Sequence, residues 1–425
     1  MLSSTAPLSE WLTWLETLSP VEINMGLARV ERVLNTLQLT LPENILLIAG
    51  TNGKGSSVVM ADALLRAKGF RVGAYTSPHV IRYNERIVID GQPVDDMRIT
   101  AAFATVEAAR GDTMLTYFEF GTLAAALIFA AAKVDICVLE VGLGGRLDAT
   151  NVFMPSASLI TNVTLDHCDW LGDDVETIAE EKAGVMRAGR PVVYGSHAMP
   201  TSILRQAHAC GAVLLQAGSD FDARIDDERG WNWRSSSRTL TGLQTPGLRG
   251  EFQIGNAAAV LMLLEAAGLA ANMDADFINS VLPELVLTGR MQTLQARDRQ
   301  WIVDVAHNPA AAEVLAATLS ATEFFGETIV ITGLLDDKDL QGIVGPLLDV
   351  ADQWIAVPAN SPRAMAANEL ARHIANLSGR ACLIVASVSD GVEFARRKAS
   401  ENDRILVTGS FFTVAPVIAL LTNNS

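Results

Sequence analysis

The sequence predicts an α/β protein of two domains, each a mostly parallel sheet covered by helices. Three observations carry this. Apolar runs of strand length alternate with helical segments along most of the 425 residues, the rhythm of parallel sheets with crossover helices. A glycine-rich turn, Ala49 to Ser56, joins one such run to a helix. After Leu287 a fresh series of five strand–helix units begins, and a chain of this length is long for one core.

The first forty residues hold an amphipathic helix pattern (Trp11, Trp14, Leu15, Leu18), then Val21 to Gly26, then a second helix from Leu27 to Leu37. Ile45-Leu46-Leu47-Ile48 is a strand, and a helix runs from Ser57 to Lys68. Between them Gly50, Gly53 and Gly55 let the main chain curl tightly, so backbone N–H groups and a helix N-terminus converge where a phosphate chain fits. Lys54 supplies a mobile charge for terminal phosphates, and Ser56 offers a hydroxyl to magnesium. Gly50 stands two residues before Gly53-Lys54, whereas the common phosphate loop has four. A glycine turn with a solvated lysine is the bland alternative, disfavoured by the flanking strand and helix.

Arg71 to Tyr75 reads as a strand ending in Thr76-Ser77-Pro78-His79. Ligands gather at carboxyl ends of strands in open α/β sheets, so Ser77 lies where a second metal-facing hydroxyl belongs. Val80 to Arg86 reads as a polar loop without a role. Tyr117 to Ala132 is an apolar helix, and Val134 to Glu140 a buried strand ending in a carboxylate. An acid there suits magnesium; a solvated strand-end glutamate is the alternative. Gly142 to Asp148 suits close approach of a substrate. Ser158 to Asn162 leads to Leu165-Asp166-His167, and His167 reaches the edge of Ser77 and Glu140. A single histidine is more often structural, yet three donors at adjacent strand ends favour a metal.

Glu180 to Gly184 lies on a helix with an acidic face. Pro191 to Tyr194, Met199 to Cys210 and Ala212 to Leu215 continue the strand–helix–strand rhythm. Asp220 to Arg249 is polar, with Trp231 and Trp233 alternating, and reads as a hairpin excursion; Gly255-Asn256 opens a helix to Ala267, and a shorter one spans Asp274 to Leu282. Thr288 to Met291 resembles a hinge. The strands beyond it are Trp301–Val305, Thr328–Thr332, Gln353–Val357, Cys382–Val385 and Arg404–Thr408. Asp304 and His307-Asn308 close the first, at the expected ligand edge.

A formal charge of -16 argues against a nucleic-acid binder, which needs a basic face. No run approaches the roughly 20 apolar residues of a membrane span, and Met1 to Leu18 carries Glu10 and Glu16 without a basic start, unlike a secretion signal. Cys137, Cys168, Cys210 and Cys382 are scattered, which suggests neither a disulfide framework nor a zinc knuckle. The expectation is a cytoplasmic monomer acting on small molecules, without nucleic-acid or membrane partners.

Taken together, Gly50 to Ser56, Thr76 to His79 with Tyr83 to Arg86, Leu139 to Asn151, Leu165 to His167, Glu181 to Gly184 and Asp304 to Pro309 resemble the folylpolyglutamate synthase family of the Mur ligases. The resemblance runs from about Trp11 to Ala415. Thr116 to Thr122 and Ile23 to Gly26 are most similar to bacterial members that also carry dihydrofolate synthase activity. The resemblance implies an N-terminal P-loop ATPase domain with a mostly parallel sheet and a pterin-binding segment, residues 1–287, and a smaller C-terminal Rossmann-like α/β glutamate-ligase domain, residues 288–425. It implies an ATP-dependent ligase that adds L-glutamate to dihydropteroate and to reduced folates through an acyl phosphate. Polyglutamylation alone is the alternative, and a nucleotide-binding switch is the rival from another class.

Carried over residue by residue, Thr51, Asn52, Gly53 and Lys54 cradle ATP, with Gly55 and Ser56 completing the loop. Ser77, Glu140 and His167 hold magnesium, with two ions expected. Lys182 matches a lysine that becomes a carbamate. Asn256, Arg290 and Asp304 match nucleotide contacts, while Asn24, Met25, Thr116 and Asp148 match positions near the pterin. His307 is an active-site neighbour. The early loop departs from many bacterial relatives, which have an acid and leucine where this chain has Asn24-Met25.

Overall fold

The computed structural model describes residues 2–19, 25–226, 230–296 and 299–422. These form two compact units, one of residues 1–246 and 253–285, the other of 247–252 and 286–425.

The first unit is built on an eight-stranded sheet. Its strands are β1 Asn44–Ala49, β2 Val72–Tyr75, β3 Ile87–Ile89, β4 Gln92–Pro93, β5 Ile136–Glu140, β6 Ala157–Ile160, β7 Pro191–Tyr194 and β8 Val213–Gln216. Their spatial order is β4-β3-β2-β5-β1-β6-β7-β8, parallel from β2 through β8, with β3 and β4 added antiparallel at one edge. Parallel strands covered on both faces read as unbroken apolar runs, and every residue of β2, β5 and β6 is buried.

Helices α1 Leu8–Leu18, α2 Ala28–Leu37, α3 Lys54–Ala67, α4 Asp96–Arg110, α5 Tyr117–Ala132, α6 Cys168–Leu171, α7 Val175–Ala183, α8 Thr201–Cys210, α9 Phe252–Ala266 and α10 Ala275–Asn279 complete this part of the chain. Thr116 starts α5 with a reciprocal cap: its hydroxyl accepts from Glu119 N at 3.3 Å, while Glu119 Oε2 accepts from Thr116 N at 2.8 Å. Such boxes satisfy two otherwise orphaned donors. Trp11, Phe103, Phe120 and Tyr83 interlock near α1, α4 and α5 with ring centres 5.5–5.8 Å apart, two of the pairs edge-to-face and one tilted, and edge-to-face contact is among the arrangements that aromatic quadrupoles favour.

Several boundaries differ from the sequence reading. α3 begins at Lys54 rather than Ser57, so its first turn belongs to the glycine loop. Val80–Arg86 is not a plain loop: Tyr83–Arg86 is a 3-10 turn leading into β3. α4 has no counterpart in the reading. The excursion after Asp220 is no single hairpin but a three-stranded antiparallel sheet, β9 Phe221–Asp226, β10 Gly230–Ser235 and β11 Thr239–Gln244. Its alternation buries Trp231 and Trp233, and the Trp233 indole donates to Ala258 O on α9 at 3.1 Å. α9 starts at Phe252, which places Asn256 a turn inside it.

The second unit holds a six-stranded sheet of β12 Gln292–Ala296, β13 Arg299–Val303, β14 Thr328–Thr332, β15 Gln353–Ala356, β16 Cys382–Ile384 and β17 Arg404–Thr408. The order is β12-β13-β17-β14-β15-β16, and all neighbours are parallel except the unanticipated β12. α11 Pro309–Ser320, α12 Leu340–Val344, α13 Ala367–Ser378, α14 Val388–Lys398 and α15 Phe411–Thr422 follow β13 to β17. Among the described residues no helix is long and apolar enough to cross a membrane.

Candidate functional site

β1 lies between β5 and β6, and β2 flanks β5, so four neighbouring parallel strands deliver their carboxyl ends to one edge. The glycine loop follows β1, Glu140 ends β5, Ser77 follows β2 and His167 follows β6. Ser77 N donates to Glu140 Oε2 at 3.0 Å, which joins two of these tips directly. Glu140 is buried, and its Oε2 would lie 3.6 Å from a Cβ placed on Gly55, so the carboxylate faces the loop. His167 has left-handed φ 53 at the start of α6. Its backbone N–H donates to Asp166 Oδ1 at 2.9 Å, with ring Nε2 3.9 Å from Asp166 Oδ2.

The loop is held from behind by the segment after β6. Thr51 N donates to Asn162 O and Asn52 N to Asn162 Oδ1, while Thr161 Oγ1 and Asn162 Nδ2 donate to Asn52 O. Thr51 Oγ1 and Thr164 close the pairing at 3.1 Å in both directions. With its carbonyls engaged here, the loop keeps the N–H groups of the first α3 turn, which lack intrahelical acceptors, for an anion. Gly50 is required sterically: its φ is +140, and a Cβ would fall 1.9 Å from Thr161 Oγ1 and 3.0 Å from Thr161 N. Gly50→Ala is therefore expected to cost about 2–4 kcal/mol and abolish nucleotide binding. Gly55→Ala, whose Cβ meets only ordinary contacts, is expected to fold with near-wild-type stability; urea melts of both check this.

On the front of the loop stands α9. A Cβ on Gly53 would meet Asn256 Oδ1 at 2.7 Å, so Asn256 packs directly on the loop. Gln253 Nε2 donates to Ser56 Oγ at 3.2 Å, and Asn256 Nδ2 to Gln253 Oε1 at 2.9 Å. Gln253, Thr161, Asn162 and Thr164 were not singled out in the sequence. No local pattern marks Gln253, whereas Asn162 stands in the sequence as the last residue of the strand Ser158 to Asn162.

Two amines share one acceptor. Lys54 Nζ and Lys182 Nζ each donate to Gly50 O at 3.0 Å. Lys182 is buried on α7, and desolvation, then the Lys54 charge, pull its amine from 10.5 down to about 7. Among the described residues no group of three or more His, Cys, Asp or Glu side chains could hold a metal ion; the carboxylate, hydroxyls and single imidazole at this edge are a different, mixed set.

The loop 142–148 closes one side. Asp148 is buried and accepts from Leu143 N, Thr150 N and Thr150 Oγ1, and burial raises its carboxyl pKa. Arg146 pairs with Glu181 at 2.6 Å, tying the loop to α7. The Met25 Cε methyl lies 3.8 Å from a Cβ placed on Gly144, which sets Met25 beside this loop. Thr116 is the buried cap of α5. Asn24 lies outside the described residues.

In the second unit Asp304 follows β13, buried, and accepts from Met291 N and Ala306 N at 2.8 Å. Burial raises its pKa, opposed by Arg290. The Arg290 guanidinium lies 5.3 Å from the Phe411 ring centre, and the His307 ring 5.9 Å from the same ring; His307 Nδ1 hydrogen-bonds Val305 O at 2.8 Å. Arg290, His307 and Phe411 thus form one cluster at the ends of β13 and β17. Phe411 was missed by the sequence reading.

Comparison with known proteins is decisive. The Mur ligase middle domain matches residues 48–264, and the Mur ligase glutamate ligase domain matches residues 289–411. The dihydrofolate synthase/folylpolyglutamate synthase of Escherichia coli is 39% identical over 98% of this chain and 96% of its own. The chain belongs to the dihydrofolate synthase/folylpolyglutamate synthase family. The structural likeness of this family member to its relatives is as close: Escherichia coli FolC in complex with DHPP and ADP superposes with TM-score 0.94 at 38% identity, covering 100% of this chain and 99% of that one. The Yersinia pestis bifunctional folylpolyglutamate synthase/dihydrofolate synthase complexed with AMPPNP and Mn ion gives TM-score 0.90 at 40% identity, covering 99% and 100%.

Proposed function

We propose that this chain is an ATP-dependent amide ligase that joins L-glutamate to dihydropteroate, giving dihydrofolate, and adds further glutamates to reduced folates. The observation that carries the reading is its likeness, across both units, to bifunctional enzymes of that kind. On this reading the glycine loop acts as a P-loop, and the second unit is its Rossmann-like glutamate-ligase domain.

A carboxylate does not condense with an amine directly, because oxide is a poor leaving group. Transfer of the ATP γ-phosphoryl group to the acid breaks the β–γ bridge bond and forms an acyl phosphate. The glutamate amino group then attacks the acyl carbon, loses a proton, and phosphate leaves with the former carboxylate oxygen. For the first step the chain supplies Thr51 to Ser56: N–H groups that receive the phosphates, and Lys54 as the mobile cation. Asn256, packed on Gly53, is assigned to the nucleotide. Arg290 and Asp304 are assigned to it from the second unit, with His307 as a neighbour. Asn24, Met25, Thr116 and Asp148 are assigned to the pterin-bearing acid; the bonded state of Thr116 and Asp148 makes their role the shaping of the pocket wall.

The donors suit magnesium, a hard cation that takes oxygen ligands and retains water. Glu140 is a buried carboxylate aimed at the loop, and Ser56 and Ser77 add hydroxyls. These, with His167, are assigned to two ions, which when bound neutralise charge between triphosphate and acid. Lys182 is assigned to carbamate formation. An amine near neutrality is partly unprotonated and so nucleophilic toward carbon dioxide, and the product replaces a cation beside Lys54 with an anion.

A substrate panel tests the whole. Phosphate release from ATP is expected with glutamate plus dihydropteroate and with glutamate plus tetrahydrofolate, and not with a sugar-nucleotide acid. Tetrahydrofolate working where dihydropteroate fails leaves polyglutamylation alone. No release with either acceptor favours a nucleotide switch and overturns the ligase.

A further inference from the structure

A buried guanidinium occupies the stretch for which the sequence offered no role. Arg86 closes the 3-10 turn Tyr83–Arg86 and is only 9% exposed. Its Nε donates to His79 Nδ1 at 2.9 Å. Its guanidinium carbon lies 5.3 Å from the Tyr83 ring centre and 5.4 Å from that of Tyr117. Among the described residues no carboxylate pairs with it.

That arrangement is costly for a free protein. Removing a cation from water is compensated fully only by an anion and hydrogen bonds, and aromatic faces return part of the loss. His79 is informative about the reason. Because Arg86 Nε donates to it, Nδ1 is an acceptor and carries no proton, so the ring facing the guanidinium brings no charge of its own. A carboxylate in that position would orient the guanidinium and cancel its charge. A neutral imidazole orients it and leaves the charge in place. Beside it, Tyr83 Oη is buried without a hydrogen-bond partner, so the frame around the cation holds a second polar group that the protein does not satisfy.

Location ties this cation to the site. Thr76 N donates to Arg86 O at 3.0 Å, and Thr76 precedes Ser77, whose N–H holds Glu140. On its other side Arg86 rests on Tyr117, the first residue of the helix capped by Thr116. Arg86 therefore stands between the glycine-loop edge and the start of α5.

We propose that Arg86 receives the carboxylate of the aromatic acid substrate, its fork held by His79 and its face by Tyr83 and Tyr117. The inference rests on the ligase reading above. It makes Arg86 a substrate-binding residue that distinguishes an acid from a neutral molecule of the same shape, since bidentate guanidinium–carboxylate pairs combine charge with geometry.

Equilibrium binding to the full chain with ADP present tests it, using dihydropteroate and its decarboxylated anilinomethyl-dihydropterin analogue. The wild type is expected to prefer the acid by about tenfold or more. Arg86→Gln and Arg86→Met are expected to bind the neutral analogue as the wild type does, to bind ADP unchanged, and to lose the preference. Arg86→Met is also expected to melt at a higher temperature than the wild type without substrate, because an apolar side chain replaces an uncompensated buried charge. A preference retained in both variants overturns the proposal. So does equal weakening for both ligands with a lowered melting temperature, the mark of a structural role. Wild-type protein that binds neither pterin overturns the ligase reading and Arg86 with it, an outcome distinct from a preference that survives in the variants.

Discussion

Lys182→Ala is expected to lower the rate of amide formation by about 10²–10³-fold while leaving ADP binding within a few-fold of wild type. The amine donates to Gly50 O from a buried position beside Lys54, so its charge state bears on the phosphate-facing loop directly. Lys182→Arg is expected to be as inactive, because a guanidinium stays charged and forms no carbamate. Phosphate release before and after depletion of bicarbonate checks this: wild-type activity is expected to fall and return on re-addition, more readily as pH rises through about 7, where the amine loses its proton. The variants show no such response. Full activity in Lys182→Ala removes the carbamate from the mechanism.

The same shift bears on stability. Between about 7 and 10.5 the unfolded chain holds a proton on Lys182 that the folded chain has released, so unfolding takes up a proton and stability rises with pH. The penalty is complete below about 7 and fades across that window. In carbon dioxide-free buffer, Lys182→Met is expected to be more stable than the wild type at neutral pH, with the difference shrinking toward alkaline pH; denaturant melts along a pH series measure it.

The second large effect falls on Glu140. Glu140→Gln keeps an oxygen to accept from Ser77 N, so the fold and the β2–β5 tip contact are expected to survive. It removes a buried negative charge facing the glycine loop, the strongest oxygen donor assigned to magnesium. Product formation is expected to fall by about 10²–10³-fold, with a raised magnesium requirement and an unchanged denaturation midpoint. Magnesium titration of initial rates checks it, and rates within tenfold of wild type at the ordinary magnesium concentration would sink the assignment.

Particular residues show what was legible beforehand. β1, β5 and β17 are apolar runs bounded by glycine or charge, and α5 is a long apolar stretch opened by Thr116 with Glu119 three residues on, so each declared itself locally. β3 and β4 did not: they are short, antiparallel edge strands, and Gln92-Pro93 reads as a turn. α4 does carry a local signal, since Ile99, Ala102, Phe103 and Val106 have the helical spacing and are all buried. At the site, Ser77, Glu140 and the glycine loop were visible as polar groups closing apolar strands. The packing of Gln253 and Asn256 onto that loop was not derivable, because about two hundred residues separate them from it and only the tertiary fold closes the gap. Phe411 was hidden for the same reason, an aromatic at a helix start whose partners Arg290 and His307 lie far back in the chain.

The bonds from Thr161, Asn162 and Thr164 to Thr51 and Asn52 span about 110 positions. During synthesis from the N-terminus the glycine loop therefore emerges long before the backbone acceptors and donors that shape it. Contacts of such long sequence separation arrive late and slowly, so a nascent chain ending before β6 has β1 and α3 without a formed anion cradle. Nucleotide capture is thereby a report on completed assembly of the sheet, and a ribosome-stalled chain released from its tunnel only through residue 150 should retain none.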